Sequence, residues 1–120
     1  MSNATIEMVD PFSFTSAAEV EGGAVIGQTL IELARERDDI VLIAPDVGRG
    51  PATTAFIDAF PERYIDTGIA ENNAVSIAAG LAAAGYRPFV FGIGAFLAPK
   101  CAEQIRTDVA INRLPVTLIS

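Results

Sequence analysis

The stretch DTGIAENNAVSIAAGLAAAG, residues 66–85, decides the fold, because it joins the end of a strand to a helix. Gly68 permits a tight turn after the strand, and Glu71 stands where the helix begins. The helix is apolar on nearly every face, which is typical of a helix in the middle of a protein. Glu71 is therefore placed at the carboxyl edge of a parallel strand, where open α/β sheets bind their ligands. The structural alternative is a first-turn acid that is favoured only by the helix dipole.

Outward from this stretch, strands and helices alternate. We predict strands over residues 40–44, 63–67, 87–91 and 115–119. We predict helices from Ala18 or Gly23 to Arg37, over residues 53–60 and 71–85, and from Pro99 to Asn112, the last burying Ala102, Ile105 and Val109. The alternation indicates an α/β fold, a parallel helix-covered sheet of the doubly wound kind. Because four strands are few for such a sheet and the last apolar strand ends the chain, we expect a fragment or one subunit of a larger assembly.

Composition narrows the class of protein. The formal net charge of −7, without basic clusters, argues against nucleic-acid and membrane partners. The absence of histidine excludes a histidine-based triad or zinc site. The single cysteine, Cys101, favours a reducing compartment, so we expect a cytoplasmic protein. The apolar content of 51% indicates either a large core or a face that another chain covers.

The chain divides into an arm and one domain. Residues 1–17 are predicted to form an irregular N-terminal arm, in which Ser2-Asn3-Ala4 is typical of a remnant of tag removal. Residues 18–120 are predicted to form the domain. No stretch in the sequence has the roughly 20 apolar residues of a membrane span.

Three loops follow strands at the predicted carboxyl edge of the sheet. Asp46 follows the first strand, Glu71 the second, and the glycine pair of Gly92 and Gly94 the third. The pair supplies two of the three glycines of a dinucleotide-binding fingerprint, but Leu97 occupies the third position and no acid follows at the expected distance. The glycines are therefore predicted to shape a tight loop and not to bind phosphate.

Residues 60–119 resemble the pyrimidine-binding domain of transketolase-like thiamine diphosphate enzymes, above all split transketolases and deoxyxylulose phosphate synthases. The motifs that carry the resemblance are GIAE at 68–71, AGLA at 79–82, FL at 96–97 and QIR at 104–106. The resemblance implies thiamine diphosphate as cofactor, and it implies that the chain forms part of an enzyme that transfers a two-carbon ketol unit.

The resemblance also implies roles for five residues. The family's glutamate, matched by Glu71, hydrogen-bonds a ring nitrogen of the aminopyrimidine and favours the tautomer that deprotonates the thiazolium carbon, so Glu71 is the predicted catalytic residue. Asp46, Ile69, Phe96 and Lys100 are, with Glu71, the predicted cofactor-binding residues. Phe96 would be a platform for the pyrimidine, with a core phenylalanine as the alternative. A solvated turn residue is the alternative for Asp46.

Departures from the family pattern leave the substrate open. Asn73 stands where deoxyxylulose phosphate synthases have a histidine, and Pro99-Lys100-Cys101 replaces their arginine–aromatic pair, with Lys100 as the substitute for the arginine. The Gly-Asp-Gly motif with a downstream asparagine is absent, so no metal ligand is predicted in this chain.

A partner is therefore expected to supply the diphosphate and magnesium site, in a homodimer or a heteromer, for a small sugar or keto-acid substrate. Three alternatives stay open: deoxyxylulose phosphate synthase-like activity, a non-catalytic dimerisation module, and an unrelated nucleotide-binding domain.

Overall fold

Four parallel strands form one sheet in a computed structural model that describes residues 22–46, 50 and 52–120. The strands are β1 (Ile40–Ala44), β2 (Tyr64–Asp66), β3 (Arg87–Phe91) and β4 (Thr117–Ile119). Their order is β2-β1-β3-β4, and Ile43 of β1 pairs with Ile65 on one side and with Val90 on the other. Because the chain moves to one side of β1 and then crosses to the other, the carboxyl edge at β1 and β3 is the point where an α/β sheet opens a ligand crevice.

The central strand is apolar on both faces because helices cover both. Every residue of β1 is buried. Ile40 and Leu42 point toward the helices α1 (Gly22–Glu36) and α2 (Thr54–Ala59), where Phe56 is fully buried. Val41 and Ile43 pack on the opposite face. The predicted α/β fold with a parallel, helix-covered sheet is confirmed.

The opposite face is covered by α3 (Glu71–Ala83), together with α4 (Gly94–Leu97). As predicted, Gly68 lies in the left-handed region at φ +65°, and Gly85 follows the helix at φ +99°. The apolar residues on which the prediction of a buried helix rested are buried or half-buried, while Asn73, Gly80 and Ala83 are exposed on the other side of α3. Its small side chains let the helix lie close to the sheet on one side while the other faces solvent.

The segment after β3 differs most from its prediction. The glycine loop contains a helical turn, α4, and Pro99 lies in the turn at 98–100 instead of starting a helix. The following helix begins at α5 (Ala102–Gln104) and continues as a π-helix (Ile105–Ala110), and Ala102 is exposed although it was predicted to be buried. Ile105 and Val109, which were also predicted to be buried, are half-buried, so the predicted burial is wrong for Ala102 alone.

Other boundaries differ by one or two residues, as expected at fraying ends. A short 3-10 helix (Pro61–Arg63) follows α2 at the proline predicted to end it. The predicted N-terminal arm, the alternative helix start at Ala18 and most of the loop at 47–51 lie outside the described residues. Within the described ranges, no helix is long and apolar enough to cross a membrane.

Candidate functional site

Three loops meet in one cleft at the carboxyl edge of the sheet. Each loop follows a different strand, β1, β2 or β3. The cleft has a volume of about 170 Å³. It is lined by Pro45, Asp46, Ile69, Glu71, Ile93 and Phe96. Four of the five residues predicted from the sequence therefore line a common cleft, and Lys100 reaches that cleft through Glu71.

Glu71 is the one charged side chain that is buried among the described residues, with 7% of its surface exposed. It is the first residue of α3, so the positive end of the helix dipole favours its charge. The Lys100 ammonium donates a hydrogen bond to Glu71 and lowers the pKa of that carboxyl below its ordinary value; a backbone hydrogen bond acts in the same direction, and burial opposes both. The cleft thus contains an ionised carboxylate.

Lys100 contacts Glu71 directly. Its Nζ lies 2.6 Å from Glu71 Oε2 and 6.0 Å from the centre of the Phe96 ring. The Asn72 amide donates hydrogen bonds to the Lys100 carbonyl oxygen at 3.0 Å and to Gln104 Oε1 at 2.7 Å. The backbone of the 98–100 turn is therefore fastened to the first turn of α3, which places the lysine opposite the glutamate.

Asp66 fastens the other two loops and was missed as a site residue. Its Oδ1 accepts hydrogen bonds from the backbone N–H groups of Gly68, at 2.8 Å, and of Asp46, at 3.3 Å. Asp46 itself has φ +46°, a conformation that aspartate tolerates better than most residues. The sequence did contain a signal, because an aspartate two residues before a glycine commonly bonds to the backbone two positions on.

The rim of the cleft is apolar and open. Ile69 is 83% exposed, Ile93 54% and Phe96 46%. Phe96 is therefore not a core residue, and the alternative assignment to the core is wrong. These three large apolar side chains surround a buried carboxylate. Covering them with a flat ligand or another chain would remove apolar surface from water, which is favourable.

A larger cavity of about 480 Å³ lies at the opposite edge of the sheet. Its lining includes Ile40 and Arg87, which begin β1 and β3. Open parallel sheets bind ligands at the carboxyl ends of their strands, and the buried Glu71 is at that end. Chemistry and topology therefore favour the smaller cleft as the functional site.

A polar group beside the Gly68 turn is buried without a partner in the described part of the chain. The buried hydroxyl oxygen of Thr67, between β2 and the Gly68 turn, makes no hydrogen bond within the described part of the chain. Unsatisfied polar groups are uncommon in native proteins, and a ligand or neighbouring chain could satisfy this one. Over the same described residues, no group of three His, Cys, Asp or Glu side chains is arranged to hold a metal ion.

Comparison with known proteins identifies the family. The sequence profile described as "Transketolase, pyrimidine binding domain" matches residues 18–120. The chain belongs to this family of pyrimidine-binding domains of thiamine diphosphate enzymes. A solved structure described as "Split gene transketolase, inactive beta4 tetramer" superimposes with a TM-score of 0.71 at 36% identity, over 78% of this chain and 31% of that one.

Curated relatives include two 1-deoxy-D-xylulose-5-phosphate synthases. The protein from Lachnoclostridium phytofermentans is 44% identical over 114 residues, and the protein from Thermomicrobium roseum is 42% identical over 116 residues. These alignments cover 90% and 89% of this chain but only 18% of each relative. The chain therefore spans about a fifth of the length of these relatives.

Proposed function

We propose that this chain is the pyrimidine-binding part of a transketolase-like enzyme that uses thiamine diphosphate to transfer a two-carbon ketol unit. The observation that carries the proposal is Glu71, a buried carboxylate at the start of α3 and at the carboxyl edge of the sheet. Burying a charge costs free energy that an apolar residue would not, and the helix dipole and Lys100 offset this cost without requiring an acid at this position. A role in proton transfer does explain an acid there.

The residues of the cleft fit an aminopyrimidine. Glu71 would hold a proton against a ring nitrogen, since a carboxyl group in a dry site can share a proton with a weak base. Phe96 and Ile69 would hold the flat faces of the ring and exclude water, and the exposed Asp46 would lie at the rim. Lys100 completes the set through its contact with Glu71. The bound cofactor supplies the carbanion chemistry.

We propose that another subunit or domain supplies the diphosphate and magnesium site. The cleft, at about 170 Å³, is smaller than the roughly 300–1,000 Å³ of complete small-molecule sites. Its apolar rim is open, as expected of half a site. The solved relative described as an inactive tetramer of β subunits supports the expectation that the isolated chain is inactive. The assembly would be a homodimer or a heteromer in the cytoplasm, acting on a small sugar or keto acid.

Titration calorimetry with thiamine diphosphate and Mg²⁺ tests this proposal. The chain alone should show no tight binding, because the phosphates and metal make the strongest charge-assisted contacts. The chain mixed with a transketolase diphosphate-binding subunit from the same organism should bind it. Micromolar or tighter binding by the chain alone would contradict the need for a partner, and failure of the mixture to bind would contradict the function.

Deoxyxylulose phosphate synthase-like activity is the second candidate, favoured by the 44% identity to such an enzyme. The reconstituted assembly separates the two, because one reaction consumes a ketose donor and the other a keto acid. A non-catalytic dimerisation module is disfavoured by the buried Glu71, and it predicts an assembly that forms without binding cofactor.

A further inference from the structure

The carboxylate that the proposed function needs already has a partner. Lys100 Nζ lies 2.6 Å from Glu71 Oε2, and Lys100 is half exposed while Glu71 is buried. The lysine is also the only lysine in the chain. Its backbone carbonyl accepts a hydrogen bond from Asn72, the residue next to Glu71, so the two segments that carry the pair are joined directly.

We propose that Lys100 is a positioning residue that acts through Glu71: it holds the carboxylate in the resting cleft, and an aminopyrimidine engages Glu71 only when the lysine releases it and the carboxylate takes up a proton. This inference rests on the proposed function. It assigns Lys100 no direct bond to the cofactor, which distinguishes it from the cofactor-binding role predicted from the sequence.

The need for a proton follows from hydrogen-bond chemistry. An ionised carboxylate only accepts hydrogen bonds, and a neutral ring nitrogen with a free lone pair also only accepts. The two acceptors repel each other until one proton is placed between them. Because the hydrogen bond from Lys100 lowers the pKa of Glu71, that proton must come from solvent at neutral pH. Binding is therefore linked to proton uptake, and the lysine raises its cost.

The other groups around Glu71 do not replace the lysine. Asp46, across the cleft, is an acid and supplies no cation beside Glu71. Cys101, next to the lysine, is buried, and burial raises the pKa of its thiol, which stays neutral at pH 7. Asp66 is occupied by the backbone of the two loops. Lys100 is thus the cation that sets the protonation state of Glu71 within the described site.

The first arm of the test is a pH titration of the Glu71 side-chain carboxyl by carbon-13 NMR. Replacement of the cation in Lys100→Met or Lys100→Gln should raise the titration midpoint toward that of an exposed glutamate, and Lys100→Arg should keep it low. Arg106→Met is the matched control, since Arg106 is an exposed cation on the neighbouring π-helix. An unchanged midpoint in both uncharged variants would overturn the proposal.

The second arm is calorimetry of thiamine diphosphate and Mg²⁺ binding by the chain assembled with its diphosphate-binding partner, in two buffers of different ionisation enthalpy. At pH 7 the wild-type assembly should take up about one proton per site. Lys100→Met should bind more tightly, by roughly tenfold for each pH unit by which the midpoint rises. Weaker binding would show that the lysine contacts the cofactor directly and would overturn the inference. If the wild-type assembly binds no cofactor, the proposed function fails and this inference fails with it, whatever the carboxyl titration shows.

Discussion

Replacement of Glu71 by glutamine tests the proposed proton transfer without removing the side chain. Gln has the same size and still accepts a hydrogen bond, so the first turn of α3 and the cleft should keep their shape. It cannot exchange a proton with a ring nitrogen. Loss of a proton-transfer group costs about 10²–10⁴ in rate, and we expect the upper part of this range because Glu71 is only 7% exposed and water cannot readily replace it.

The assay is hydrogen–deuterium exchange at the thiazolium carbon of thiamine diphosphate in the assembled complex, followed by NMR after rapid quenching. Glu103→Gln is the control, since Glu103 is exposed and lies in the first turn of α5. It should leave exchange unchanged, and circular dichroism should show both variants folded. Exchange as fast in Glu71→Gln as in the wild type would refute the catalytic role and leave Glu71 as an acid favoured only by the helix dipole.

Three further predictions concern stability and assembly. A Cβ at Gly92 would lie 3.1 Å from Leu97 Cγ, so Gly92→Ala should lower the free energy of unfolding by about 1–3 kcal/mol in urea titrations. The control is Gly80→Ala, because Gly80 lies on α3 with open space around it. This control should raise the free energy of unfolding by up to about 1 kcal/mol. Because the pKa of Glu71 is lowered in the folded state, its ionisation stabilises the fold above the unfolded pKa of about 4.3. This stabilisation is lost as the pH falls through the lower folded pKa. In urea titrations at acid pH, the free energy of unfolding should therefore fall less in Lys100→Met than in the wild type. Light scattering should find an oligomer or a heteromer, because the rim of the cleft is apolar and exposed; a monodisperse monomer at high concentration, with no partner found, would contradict this.

Local sequence determined the strands well because burial of β1 requires a continuous apolar run. The bounds of that strand, 40–44, were predicted correctly, as were those of β3. The prediction was wrong after Gly92, where Pro99 was expected to start a helix. That segment takes its conformation from distant contacts, including those of Leu97 with the sheet and of Asn72 with Gln104, which no local pattern reveals.

The sequence also predicted only part of the candidate site. Glu71 could be found because a strand, a glycine turn and a helix follow one another along the chain. This order places the acid at the start of the helix and at the carboxyl edge of the sheet. Its ion pair with Lys100 could not, because the two residues belong to different loops and their distance depends on the turn at 98–100. Asp66 joins two loops through hydrogen bonds of its side chain, and hydrophobic periodicity does not predict such bonds.

The central position of β1 also affects how the chain is synthesised. β1 pairs on one side with β3, so this edge of β1 stays unpaired until Arg87, the partner of Ile40, has been synthesised. At the usual rates of about 5–20 residues per second, the roughly 50 residues between them take about 3–10 s to leave the ribosome. During that time a five-residue apolar strand has an open edge, which is the kind of segment that aggregates. Chaperone capacity during expression should therefore affect the soluble yield.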